Sequence, residues 1–131
     1  MFTKQELEKA LSYIGTGASY PKVVEELKKA GVAKYEHFVA DGRNVYYSED
    51  GDSIDIPSRQ QPIHVNSQPS IGKLSHDLKT HQAGETDYPT FCKQAGEAGV
   101  EKWIADLVAM KVSYVDMAGE ELLSEDIPAA S

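Results

Sequence analysis

Residues 30–35 read Ala30-Gly31-Val32-Ala33-Lys34-Tyr35, and residues 98–103 read Ala98-Gly99-Val100-Glu101-Lys102-Trp103. Upstream, Tyr20-Pro21 has its counterpart in Tyr88-Pro89, so both matches share one offset of 68 positions (20 to 88, 34 to 102). Tyr46 and Gly51 match Tyr114 and Gly119 at that offset; Leu7, Leu11 and Gly17 match Leu74, Leu78 and Gly84 at 67 (7 to 74), one residue having been gained in the loop before Tyr88. A set that spans helix leucines, turn glycines and strand aromatics indicates two copies of one structural unit.

In the first copy, Thr3-Lys4-Gln5-Glu6 has the form of a capping box, in which hydroxyl and carboxylate satisfy free amides at a helix start. Leu7, Ala10, Leu11 and Ile14 then make one apolar stripe, predicting a helix over about residues 4–15. A second helix from Pro21 buries Val23, Val24, Leu27 and Ala30 and stops at Gly31, which accepts the left-handed cap conformation. Alternation from Lys34 to Ala40, the Asp41-Gly42 turn, Val45-Tyr46-Tyr47, the turn at Gly51 and a weaker pattern at Ile54 and Ile56 predict three strands. The second copy repeats this: Ile71, Leu74 and Leu78 on one helix, Phe91, Cys92, Ala95 and Ala98 on the next with Asp87 as its cap, then strands near 101–108, 111–116 and 120–125.

The expectation is an α+β protein of two tandem helix-helix-three-strand units with pseudo-twofold symmetry and an antiparallel sheet covered by helices. It forms a single domain over 1–131, with repeat 1 at 3–57, a proline-rich connector at 58–69 and repeat 2 at 70–128. His64-Val65 is a candidate short strand within the connector. Strand order across the two halves stays open at this level.

Composition narrows the function classes. A formal net charge of −8, with arginine only at 43 and 59, excludes the concentrated positive charge that phosphate-backbone binding needs, so no nucleic acid is expected. No apolar run approaches the roughly 20 residues that cross a bilayer, so no membrane span is expected. The single Cys92 rules out an intrachain disulfide and suits a cytoplasmic location. With hydrophobic residues at 40% the chain has enough apolar surface to fold unaided.

Three side chains are catalytic candidates. Cys92 stands where the first copy has Val24, a buried aliphatic position; a nucleophile there needs a histidine, cation or helix N-terminus beside it, and Cys92 lies shortly after Pro89. His81 continues the stripe of Leu74 and Leu78 and replaces Ile14, with Asp77 one turn earlier placed to orient its ring. Asp106 replaces Phe38 on the strand face opposite His37. The four histidines, His37, His64, His76 and His81, show no metal-ligand spacing, so neither metal nor cofactor is expected. The aromatic pairs Tyr20/Tyr88, Tyr35/Trp103 and Tyr46/Tyr114 serve as core or as the lining of a cleft between the units, which makes Tyr20, Tyr35, Tyr88, Trp103 and the adjacent Lys102 the ligand-binding candidates.

The run His81-Gln82-Ala83-Gly84-Glu85-Thr86-Asp87-Tyr88-Pro89-Thr90-Phe91-Cys92, followed by Ala98-Gly99-Val100-Glu101-Lys102-Trp103 and Asp106, resembles the signature of the YdfO-like family of uncharacterised bacterial proteins. Some members are called phage envelope protein, a label that fits poorly with an acidic chain lacking a membrane segment. The resemblance implies a compact, soluble, cytoplasmic bacterial protein, found in prophage and in ordinary chromosomal settings, and no particular activity. The leading expectation is a non-catalytic binding module for a small molecule or protein partner. The alternatives are a small enzyme using His81 as base with Cys92 or Asp106 nearby, and a self-associating phage-related structural protein; a homodimer is compatible with each.

Overall fold

A computed structural model describes residues 3–11, 20–57 and 62–127, and of residues 10, 11 and 20 the backbone alone. Its elements are α1 (Lys4–Leu11), α2 (Tyr20–Ala30), β1 (Val32–Phe38), β2 (Asn44–Ser48), β3 (Ser53–Ile56), α3 (Ile71–Gln82), α4 (Tyr88–Glu97), β4 (Lys102–Asp106), β5 (Lys111–Val115) and β6 (Glu121–Asp126). The α+β class and the helix-helix-three-strand order are as the sequence predicts.

Local chemistry explains the boundaries. The capping box closes α1: Glu6 N donates to Thr3 Oγ1 at 3.2 Å and Thr3 N donates to Glu6 Oε1 at 3.1 Å. Asp87 caps α4 by accepting from Thr90 N at 2.9 Å, and Ser70 caps α3 by accepting from Lys73 N at 3.3 Å. The predicted end of the first helix beyond Leu11 lies outside the described residues.

The six strands form one antiparallel sheet in the order β3-β2-β1-β4-β5-β6. β1 and β4, the first strand of each half, pair at the centre. Registers align two lateral rows on the helix-covered face. One runs Ile56, Asn44, His37, Trp103, Tyr114, Leu123; the other runs Ile54, Tyr46, Tyr35, Ala105, Val112, Glu125. These rows pack against Val24 and Leu27 of α2, Leu74 and Leu78 of α3, and Phe91, Cys92 and Ala95 of α4 in one core. Lys34, Glu36, Lys102 and Ile104 alternate onto the other face and are exposed or half-buried.

The stretch after Pro62 does not form the short strand anticipated at His64-Val65. Both edges of β1 are already taken by β2 and β4, so this segment makes single contacts instead: Ile63 N donates to Ala40 O at 2.8 Å and Asn66 N donates to Gly96 O at 2.9 Å. No helix among the described residues is long and apolar enough to cross a membrane.

Candidate functional site

Two places in the structure gather polar side chains. The first is a polar cluster inside the core, built on His37. Its strand register sets it between Asn44 of β2 and Trp103 of β4, and α4 lays Tyr88 and Cys92 over it. His37 Nδ1 lies 2.8 Å from Asn44 Oδ1. The Asn44 amide nitrogen donates to Gly42 O at 3.4 Å, which turns its oxygen toward the ring. Nδ1–H therefore donates to Asn44, leaving Nε2 to accept from Cys92 S–H at 3.8 Å. The Tyr88 hydroxyl lies 3.2 Å from Nδ1 and hydrogen-bonds to the Cys92 sulfur. The His37 ring stacks on Trp103 at 4.2 Å.

In order of contact, this is a cysteine, a histidine and an asparagine, the residue types of a thiol nucleophile with an oriented base. Its environment opposes that use. Cys92 is 0% exposed and His37 1%. Burial pushes the thiol up to about 12 against the effect of the Tyr88 hydrogen bond, and pushes His37 down to about 4 despite Asn44 and Asp41. Both groups are neutral, mutually satisfied and sealed from solvent.

Of the other sequence candidates, Tyr88 and Trp103 belong to this cluster, and His81, Asp106, Tyr35 and Lys102 do not. His81 is buried on α3, its ring stacked on Phe91 at 4.4 Å and its Nδ1 3.1 Å from both Thr86 O and Thr86 Oγ1. Asp77 does not orient it; Asp77 pairs instead with Lys73 at 2.8 Å. Asp106 is exposed and shapes the β4–β5 turn by accepting from Val108 N and Ala109 N, each at 3.0 Å. Tyr35 and Trp103 are core residues, Tyr88 is half-buried over the cluster, and the Tyr20 side chain lies outside the described residues. Lys102 lies on the other face of the sheet, where it and Tyr47 both donate to Glu36, at 3.0 and 2.9 Å. Burial works against ionisation of Glu36, and these two donors still hold its carboxyl below the ordinary range. Among the described residues no three His, Cys, Asp or Glu side chains group as metal ligands.

Sequence reasoning missed the pairing of Cys92 with His37 and missed Asn44 altogether. A signal was available. At the 68-residue correspondence, His37 and Asn44 stand opposite Ala105 and Val112, and Cys92 opposite Val24, so three polar departures from apolar counterparts fall in one place.

The second place is a groove of about 500 Å³ at the end of the sheet, where β1 begins. Val32 and Leu107 form its buried floor, with Ala33 and the exposed Val108 beside them. Glu49 and Asp50, on the β2–β3 turn, bound one side, and Lys28 of α2 also lines the space. Among the described residues neither Glu49 nor Asp50 has an ion pair, and the Lys28 ammonium meets only the Met110 sulfur, at 3.6 Å.

Residues 8–126 match the model of a family described as protein of unknown function (DUF1398). No curated protein matches the chain. An α+β sheet with its chemistry-bearing side chains sealed beneath α4 and an open groove at one end is thus the architecture of a member of this uncharacterised family, to which the chain belongs.

Proposed function

We propose that the protein is a non-catalytic binding module whose ligand is a small molecule seated in the groove at the start of β1. The supporting observation is the contrast between the two polar sites. In the core cluster the His37 ring and the Cys92 thiol have hydrogen-bond partners and are shut off from solvent. In the groove, charges of both signs line an apolar floor, and among the described residues they have no counter-ion. A fragment screen followed by amide chemical shifts tests this: ligands should move Ala33, Ser48 and Leu107, and a screen that moves none of them removes the proposal.

An enzymatic reading is favoured by one observation, the Cys92–His37–Asn44 contact order. It requires α4 to lift at Tyr88 so that the thiol meets solvent, and burial of both ionisable groups stands against it. Self-association as a phage structural protein has less support. Among the described residues the exposed large hydrophobic side chains Ile71, Val108 and Met117 are scattered over the start of α3 and the turns at opposite ends of β5, and form no patch.

The YdfO-like branch, a cytoplasmic location, a single folding domain and an internal duplication belong to the same proposal. The duplication is supported by the central register. The 68-residue correspondence maps Glu36 onto Ile104, and these two are partners in the β1–β4 pair. A twofold axis relating two equal units would pass between them.

A further inference from the structure

We infer that the groove takes a short peptide with both termini free, about three residues long. Its ammonium would lie at the Glu49–Asp50 turn and its carboxylate at Lys28; this rests on the binding-module reading and names the class of ligand. The argument starts from the strand order. β1 runs between β2 and β4. Ser48 pairs with Val32 on one flank, so Glu49 and Asp50, the next residues, bound the groove on the β2 side. On the other flank Leu107 N donates to Ala33 O at 2.9 Å. The Met110 sulfur, in the β4–β5 turn, holds the Lys28 ammonium toward that same side.

The negative and positive walls therefore lie on opposite sides of β1, and its two neighbours β2 and β4 are two strand spacings, about 10 Å, apart. An extended chain advances about 3.3–3.6 Å per residue, so roughly three residues bring its two ends to the two walls. A free amino acid carries both charges on one carbon and does not span them. An anionic ligand such as a nucleotide meets Glu49 and Asp50 on a chain of net charge −8. Between the walls, Val32 and Leu107 with Val108 at the lip offer apolar surface to small aliphatic side chains. The volume of about 500 Å³ lies within the usual range for ligand sites.

The experiment is a titration of the full chain, followed by amide shifts, with the tripeptide Ala-Val-Ala, its N-acetyl form and its C-terminal amide. The free tripeptide should move Ala33, Ser48 and Val108. Either cap should weaken binding about tenfold or more, since each removes one charge-assisted contact. Lys28→Gln should erase the difference between the free and amidated peptides while keeping the penalty for acetylation. Glu49→Gln with Asp50→Asn should do the reverse. Capped peptides that bind as tightly as the free one would overturn the inference. So would a tripeptide that leaves the groove unmoved at millimolar concentration. In that event, other fragments moving the same amides would leave the binding module standing without its peptide, whereas silence from every fragment would remove both.

Discussion

Cys92 Sγ of α4 lies 3.8 Å from His37 Nε2 of β1, and neither side chain reaches solvent. The contact closes a chain of hydrogen bonds from Tyr88 through sulfur and imidazole to Asn44. Buried polar groups satisfied in this way specify packing, and they also hold a thiol in its unreactive form.

Cys92 should therefore resist modification until the core opens. In native buffer its reaction with a disulfide reagent should be slower by a factor of about 10³ or more than in denaturant, because only the rare unfolded fraction reacts. Rapid native-state labelling would mean that α4 lifts readily, and would move the enzymatic reading ahead of the binding module.

Acid should destabilise the protein through His37. Burial holds this ring at about 4 in the folded state against an ordinary value of 6.5. The unfolded chain therefore binds the proton first, and the contribution of neutral His37 is complete above pH 6.5 and lost as pH falls toward 4. The difference amounts to about 3 kcal/mol. His81, also lowered by burial although Thr86 works the other way, adds in the same direction. Urea midpoints between pH 4 and 7 should fall steeply for the natural chain and less steeply for His37→Gln; equal slopes would show that His37 is not the group responsible.

Two helical glycines should respond oppositely to alanine. At Gly96 an added Cβ would stand 2.7 Å from Ile63 Cγ2 and 2.8 Å from His64 O, where the connector crosses α4. Gly96→Ala should cost about 1–3 kcal/mol by overpacking, against its helix propensity. At Gly72 nothing lies within 4 Å, so Gly72→Ala should gain about 0.5–1 kcal/mol. Thermal melts of both variants decide the point, and a stabilised Gly96→Ala would show that the connector is not held against the helix.

Asp87→Ala should cost about 1 kcal/mol by freeing Thr90 N at the start of α4. Because α4 covers His37, amide exchange in its first turn should rise with the loss of the cap. Asp87→Asn, which keeps an acceptor, should restore most of both; failure of this rescue would point to a role for the carboxylate charge beyond capping.

Much of the fold was legible because its causes are local. A capping box at Thr3-Glu6, a cap at Asp87, glycine at Gly31 and Gly99, and alternation along Tyr35-His37-Val39 depend on neighbours within a few residues, and the 68-residue offset carried one half's reading to the other. The same alternation put His37 on the face of Tyr35 but not beside any particular side chain.

Which strand lies next to which is a different kind of fact. The β1–β4 pair joins residues about 70 positions apart through backbone hydrogen bonds common to every side chain, so nothing in the local pattern selects it. That pairing sets Trp103 against His37, and the helix packing over it brings Cys92 to the ring from 55 positions away. It also opens the groove, whose charges come from α2 and the β2–β3 turn and whose floor comes from β1 and the start of the β4–β5 turn. The sequence by itself determined the elements, their faces and their caps. Tertiary structure alone decided that the thiol meets His37 and that Lys28, Glu49 and Asp50 share one open space, because such proximity arises only when distant segments pack together.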